Sequence, residues 1–327
     1  MPEALFRADA APEVGGGHII RCLALAAALA DRGWGCHFLV ARGTVATVPA
    51  LAQAGHSVHE GEDAWAAAPE TADLLVVDHY RLGEAWESGW RGRVCRILAI
   101  DDLADRRHDC DFLLDPTAGR AAADYAALVP ADCRLLLGPR YVPLRREFAQ
   151  HRRAALARRD GGPVNRLLIA PGATDPTDLA SVLNDAAETL PAVAIDIAIG
   201  GAAPHLPRLR ERAARSPRLH LHIDTTDMAG LMAVADLCLG AGGSTSGERC
   251  CLGLPTLLAV VADNQEGVAR GLVAAGAVEI VAENDRARLT AALYRLTADG
   301  PRRRAMSQAG AAVCDGEGAR RVAALLG

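Results

Sequence analysis

Two glycine-rich turns, far apart in the chain, carry the residues best suited to chemistry. The first is Glu13-Val14-Gly15-Gly16-Gly17-His18, and the second is Gly240-Ala241-Gly242-Gly243-Ser244-Thr245-Ser246-Gly247-Glu248. A glycine-rich turn at a helix start points backbone N–H groups outward at the positive end of the helix dipole, which suits an anion such as phosphate. The first turn adds an imidazole, and the second adds hydroxyls and a carboxylate. The pair therefore indicates proton transfer at one turn and phosphate binding at the other.

His18 is the candidate general base. The helix dipole at this position favours the neutral imidazole, which is the form that accepts a proton from water. A single histidine is often only structural, but its place after three glycines at a strand end favours a functional role. The turn does not fit a dinucleotide site, because it lacks that motif's third glycine. In addition, Arg42 stands after the second predicted strand, where an NAD enzyme would have an acidic residue.

Acidic residues follow two further predicted strands. Asp78-His79-Tyr80 comes directly after residues 74–77, and Asp78 would either orient a base or a water or simply close a turn. Asp101-Asp102-Leu103-Ala104-Asp105 has the spacing of magnesium-diphosphate sites, but those sites lie on long helices and this segment ends the predicted strand 96–100. We expect a strand-end turn with one useful carboxylate here, and no metal site anywhere in the chain.

The second glycine turn is suited to UDP. Glycine N–H groups and the hydroxyls of Ser244 and Thr245 can donate to a diphosphate, and Glu248 can accept both ribose hydroxyls. The chain contains no lysine, so the turn cannot be a P-loop. A tight helix entry would explain the glycines but not Glu248 together with the two hydroxyls. Pro171-Gly172-Ala173-Thr174-Asp175 ends another predicted strand of the same domain with small residues and a hydroxyl.

The order of apolar segments predicts an α/β protein with two doubly wound domains. Short apolar runs alternate with longer amphipathic ones, which is typical of parallel sheets covered by helices on both faces. The predicted strands are 5–8, 36–40, 74–77, 96–100, 112–114 and 134–137, then 166–170, 194–199, 220–223, 237–239, 256–260 and 279–281. The predicted helices include 19–32, 45–54 and 145–159, then 178–190, 228–234, 246–251 and 265–275.

A linker at Asp160-Gly161-Gly162-Pro163 divides the chain into an N-terminal domain, 1–160, and a C-terminal domain, 161–327. A length of 327 residues fits two domains of about 150 residues each. Ligands of doubly wound sheets bind beyond the carboxyl ends of the strands. We therefore expect the site in the cleft between the two domains.

Composition excludes several classes of protein. A hydrophobic content of 50% with 23% charged residues is typical of a globular protein. A net charge of −5 argues against a nucleic-acid or anionic-membrane partner, since either would require a basic face. Nine cysteines without C-x-x-C spacing indicate reduced thiols rather than a disulfide framework. There is no signal-peptide pattern and no membrane-spanning run, so we expect a cytoplasmic monomer without membrane insertion.

Five stretches of the sequence together resemble a known family. They are Phe6-Arg7-Ala8-Asp9, Gly15-Gly16-Gly17-His18-Ile19-Ile20-Arg21-Cys22-Leu23-Ala24-Leu25-Ala26, Val77-Asp78-His79-Tyr80, Leu144-Arg145-Arg146-Glu147-Phe148 and Ala262-Asp263-Asn264-Gln265. In this order they resemble the UDP-2,4-diacetamido-2,4,6-trideoxy-β-L-altropyranose hydrolases of bacterial pseudaminic acid synthesis. The resemblance spans nearly the whole chain. Asp227-Met228-Ala229 and the second glycine turn more broadly resemble the MurG-like glycosyltransferases, which have the GT-B fold.

This resemblance implies inverting hydrolysis of a UDP-sugar at the anomeric carbon, with no metal and no cofactor. His18 would be the base on water, and Tyr80 would help to place water or sugar. The residues implied to contact the sugar are Arg7, Asp9, Gly17, Asp102 and Arg145. Those implied to bind UDP are Gly172, Thr174, Asp175, Gly243, Ser244, Thr245, Glu248, Asn264 and Gln265. The last helix is expected to pack back on the N-terminal domain.

Two departures from the family pattern are visible. Ala8 stands where a serine is common, and Pro171-Gly172-Ala173 replaces a double glycine, which would alter how the phosphates sit. Three other functions fit the same residues. A MurG-like glycosyltransferase would need an acceptor groove, often with exposed apolar residues. The second is a UDP-sugar 2-epimerase. The third is a non-catalytic UDP-sugar-binding protein, and only this one would not need His18.

Overall fold

The computed structural model describes residues 1–11, 15–61, 64, 68–282 and 285–327. Glu13 and Val14 of the first glycine turn lie outside the described residues. The chain divides into two compact units: Met1–Arg145 together with Glu317–Gly327, and Arg146–Gly316. The sequence-based boundary at 160/161 lies further along the chain than the unit boundary at 145/146. The physical reason is that the helix Arg146–Ala157 packs within the second unit.

The first unit is built on a parallel sheet. Over the described residues its strands are β1 Glu3–Ala8, β2 Gly35–Val40, β3 Ser57–Glu60, β4 Ala72–Asp78, β5 Val94–Ile100, β6 Phe112–Asp115 and β7 Arg134–Leu137, in the order β3-β2-β1-β4-β5-β6-β7. The predicted parallel α/β class is confirmed, with all six predicted strands present. β3 was not predicted, because this half-exposed strand at the sheet edge has no apolar run.

The second unit repeats this plan. Its described strands are β8 Arg166–Ala170, β9 Ala194–Ile199, β10 Leu219–Ile223, β11 Leu237–Ala241, β12 Thr256–Ala259 and β13 Val278–Val281, in the order β10-β9-β8-β11-β12-β13. All of these pairings are parallel. In both sheets the strand order reverses beside the first strand, which is the doubly wound arrangement predicted from the sequence.

Helices cover the sheets. They are α1 Gly17–Ala30, α2 Thr44–Thr47, α3 Ala50–Gln53, α4 Glu84–Ser88, α5 Arg146–Ala157, α6 Leu179–Ala187, α7 Leu206–Arg215, α8 Met228–Val234, α9 Thr245–Cys251, α10 Glu266–Ala274, α11 Arg286–Ala298, α12 Gly300–Val313 and α13 Gly318–Leu326. The single helix predicted over 45–54 was wrong. Pro49 interrupts it and leaves two short helices, since proline has no N–H to continue the hydrogen-bonding pattern.

The last helix, α13, packs against α1 inside the first unit. Val322, Ala323 and Leu326 are buried there in the same apolar core as Trp34. This contact explains why the C-terminal segment belongs to the N-terminal unit. No helix among the described residues is long and apolar enough to cross a bilayer.

Candidate active site

The His18 imidazole is held by the Asp78 carboxylate. His18 lies in the first turn of α1, and Asp78 is the last residue of β4. Nδ1 of His18 lies 2.5 Å from Oδ1 of Asp78, and both side chains are buried. A carboxylate can only accept, so Nδ1 carries the hydrogen of this bond. The lone pair is then on Nε2, as a general base requires.

Arg21 fixes the charge of Asp78. It lies three residues after His18 on α1, so the two side chains share one face of the helix. Its Nε and Nη2 each lie 2.6 Å from an oxygen of Asp78, and Nη2 is 3.3 Å from Nδ1 of His18. Burial by itself raises the pKa of Asp78, but the charge of Arg21 and the hydrogen bonds from Arg21 and His18 hold that pKa well below its usual value. Asp78 is therefore an anion that orients the His18 imidazole.

Two further predicted residues join this cluster. The rings of His18 and Tyr80 meet edge to face with centroids 4.5 Å apart. Oδ2 of Asp102 accepts a 2.9 Å hydrogen bond from Arg21, while Oδ1 of Asp102 is buried without a hydrogen-bond partner. The structure thus brings His18, Tyr80 and Asp102 together at the carboxyl ends of β4 and β5.

Asp101 has a structural role. Its carboxylate accepts hydrogen bonds from the backbone of Ala104 at 2.9 Å, from Arg106 at 2.9 Å and from Tyr125 at 3.0 Å. This is the strand-end turn expected from the sequence. Among the residues that the structure describes, no group of three or more His, Cys, Asp or Glu side chains could hold a metal ion.

Arg7 and Asp9 form a neighbouring group at the carboxyl end of β1. Nη1 and Nη2 of Arg7 donate to Asp9, which also accepts a 2.7 Å bond from the backbone of Ala41. Nε2 of His79 lies 3.3 Å from Oδ2 of Asp9, which links this group to the end of β4. Burial raises the pKa of Asp9, but the bonds from His79 and Arg7 lower it well below its usual value.

Gly17 and Arg145 complete the predicted sugar-side residues. Gly17 opens α1 directly before His18. A side chain at the preceding Gly16 would place Cβ 2.7 Å from Cγ2 of Val48, so any larger residue there would require Val48 to shift. Arg145 is half-buried at the end of the first unit, directly before α5.

In the second unit, three predicted UDP-binding segments lie at one edge of the sheet. Residues 171–175, 242–245 and 260–265 follow β8, β11 and β12, which are adjacent strands. The carboxyl ends of adjacent parallel strands meet at the same sheet edge. The structure therefore brings these segments together, as the sequence predicted for a doubly wound domain.

Residues of these segments differ in exposure. Ser244 and Asn264 are exposed, and Gly243, Thr174 and Thr245 are half-buried. Glu248 is buried in α9, one turn after the glycines. Gly172 is exposed, with a φ of +113°, a left-handed conformation that favours glycine.

Asp175 and Gln265 shape the loops through internal hydrogen bonds. The buried carboxylate of Asp175 accepts from the backbone N–H groups of Leu179 and Ala180, at 2.9 and 3.0 Å. Oε1 of Gln265 accepts from the backbone of Gly242 at 3.1 Å and of Val261 at 3.2 Å, which ties two loops together. These two predicted UDP residues support the loops that carry the others.

Sequence reasoning missed Arg21 and left the role of Asp78 open. The available signal for Arg21 was its spacing of three residues from His18 on a predicted helix. The pairing of Asp9 with His79 had no sequence signal, since it depends on the adjacency of β1 and β4.

The two doubly wound units define the chain as a GT-B fold protein. MurG of Acinetobacter baumannii has the same fold, with a TM-score of 0.67 and 14% identity over 100% of this chain and 99% of that chain. In sequence, the chain is similar to UDP-2,4-diacetamido-2,4,6-trideoxy-β-L-altropyranose hydrolase of Campylobacter jejuni. The identity is 29% over 278 residues, which cover 84% of this chain and 97% of that protein.

A second relative is the spore coat polysaccharide biosynthesis protein SpsG of Bacillus subtilis. It is 29% identical over 207 residues, covering 61% of this chain and 59% of that protein. No protein-family model matches the chain. The resemblance noted in the sequence is therefore confirmed as a similarity over most of the chain, and the fold agrees with it.

Proposed function

We propose that this protein hydrolyses a UDP-sugar at the anomeric carbon, with inversion and without a metal ion. The observation that carries this proposal is the buried pair of His18 and Asp78, in which an anionic carboxylate holds Nδ1 and directs the basic nitrogen away. A base of this kind activates a hydroxyl-bearing nucleophile such as water. Similarity to a UDP-sugar hydrolase along 97% of that protein's length supports water as the nucleophile.

The proposed reaction is a single displacement. Nε2 of His18 takes a proton from water, and the water oxygen forms a bond to the anomeric carbon. The bond between that carbon and the UDP oxygen breaks, and UDP leaves with the electron pair. Asp78 stabilises the imidazolium that forms, and Tyr80 against the His18 ring limits where the water can sit. Attack opposite to UDP inverts the anomeric centre.

The second unit would bind UDP. Residues 243–245 offer backbone N–H groups and hydroxyls to the diphosphate, and Glu248 offers a carboxylate to the ribose. UDP is a good leaving group, so no protein acid is required on that side. The first unit would bind the sugar through Arg7, Asp9 and Asp102. From the named relative we propose a 2,4-diacetamido-2,4,6-trideoxyhexose as the sugar, with a role in nonulosonic (pseudaminic) acid synthesis.

Turnover in ¹⁸O-labelled water tests this function. The expected result is label in the released sugar, none in UDP, an inverted first anomer by NMR, and no requirement for an acceptor. Turnover that begins only when an alcohol or lipid acceptor is added would instead establish a glycosyltransferase. Label in the UDP phosphate would mean P–O cleavage and would contradict attack at carbon.

A further inference from the structure

A buried arginine lies beneath the second glycine turn. Arg249 in α9 is 1% exposed. Its Nη2 donates to the carbonyl of Ala241 at 2.6 Å and to the hydroxyl of Ser246 at 2.9 Å, and its Nη1 lies 4.0 Å from Sγ of Cys238. Its Nε is buried without a hydrogen-bond partner. The guanidinium is thus enclosed between the end of β11 and the first turn of α9.

The groups bonded to this cation are neutral. A carbonyl and a hydroxyl carry no net charge. Burial raises the pKa of the Cys238 thiol, and the nearby Arg249 charge offsets only part of that rise, so the thiol stays protonated. A buried charge without an anionic partner is costly in the folded protein. An anion bound close to Arg249 would offset that cost.

The turn is shaped to admit the guanidinium. A Cβ on Gly240 would collide with Nη1 of Arg249 and would lie 2.8 Å from the carbonyl oxygen of Ala170. The Ala241 carbonyl that Arg249 bonds belongs to the peptide group that leads into Gly242 and Gly243. Arg249 also bonds the hydroxyl of Ser246, so its positive charge is hydrogen-bonded to both ends of the turn 243–245.

We propose that Arg249 is a buried counter-charge for the diphosphate of UDP, a positioning residue that acts through the turn without touching the ligand. This inference rests on the proposed function, because it requires UDP at residues 243–245. A charge with so little solvent access is screened weakly by water and salt. It would stabilise the negative charge that develops on UDP as the glycosidic bond breaks.

Calorimetry with UDP and with uridine tests the proposal, since only UDP carries the diphosphate. We expect Arg249→Met and Arg249→Gln each to weaken UDP binding about tenfold, with uridine affinity changed less than about twofold. Arg159→Met is the matched control. Arg159 is also buried and donates to the carbonyls of Met232 and Ala235, but it lies against Asp236, at the opposite end of β11.

The outcomes are distinguishable. If Arg249→Gln binds UDP like the unmodified protein, Arg249 serves only as a hydrogen-bonding scaffold and the proposal is wrong. The same holds if UDP and uridine lose affinity equally. If both variants fail to fold, the test is made on the unmodified protein. Its ratio of UDP affinity to uridine affinity must then persist at about 0.5 M salt, because a buried charge is screened little, and loss of that ratio would contradict the proposal. If the unmodified protein does not bind UDP, the proposed function fails first.

Discussion

Nδ1 of His18 lies 2.5 Å from Oδ1 of Asp78, although the two residues are 60 positions apart in the chain. Arg21 holds the same carboxylate with two further hydrogen bonds of 2.6 Å. These bonds fix the orientation of the His18 imidazole, which lies at a helix start, against a charged carboxylate.

Replacement of His18 by Asn or Ala should lower kcat by about 10²- to 10⁴-fold, because the proton acceptor is lost. UDP affinity, measured by calorimetry, should change little. His37→Ala is the matched control, since His37 pairs with Glu3 at the opposite end of the first sheet. Turnover near the unmodified rate in the His18 variants would rule out His18 as the base.

Replacement of Asp78 by Asn should lower kcat by about 10²- to 10³-fold without a matching change in KM, since an amide neither fixes the tautomer nor stabilises the imidazolium. Asp73→Asn is the control, because Asp73 lies near the other end of the same strand and bonds the backbone of Glu3. A proportional rise in KM with kcat unchanged would contradict a role for Asp78 in catalysis.

Stability should fall as the pH drops below the usual aspartate pKa of 3.8, because the pKa values of Asp9 and Asp78 are lowered in the folded state. The unfolded chain binds these protons first, so the stability that the two carboxylates contribute is complete above pH 3.8 and lost toward lower pH. Urea unfolding at about pH 4 and about pH 2 measures how steeply the free energy of unfolding depends on pH. This dependence should be weaker in Asp78→Asn, and an unchanged dependence would contradict an ionised Asp78 in the folded protein.

Glu248→Ala should weaken UDP binding by about 1–3 kcal/mol through lost hydrogen bonds to the ribose. The affinity for a UDP analogue without ribose hydroxyls should fall much less. Glu279→Ala is a suitable control, since Glu279 lies on β13 and forms ion pairs with Arg295 and Arg302. Unchanged UDP affinity in calorimetry would place the nucleotide elsewhere.

Turnover should continue in excess EDTA. Both oxygens of Asp101 are engaged by Arg106, Tyr125 and the turn backbone, so the aspartate triplet that begins there is not arranged as a cation site. Activity that is lost in EDTA and restored by magnesium would indicate Asp102 and Asp105 as metal ligands and would contradict the metal-free reaction.

The sequence by itself determined the two doubly wound units and the turns at their strand ends. Apolar runs of strand length alternating with amphipathic runs allow few architectures, and glycine-rich turns at helix starts are readable one segment at a time. His18, the segment from Asp78 to Tyr80 and the second glycine turn could therefore be placed at the carboxyl ends of strands.

Only the tertiary structure decided which of these residues meet. The pairing of β1 with β4 sets α1 beside the end of β4, so Asp78 reaches His18 and Arg21. The same folding turned Asp175 and Gln265 toward loop backbones and enclosed Arg249 beneath Gly240. Such contacts depend on side-chain direction across distant segments, which local propensity and periodicity do not encode.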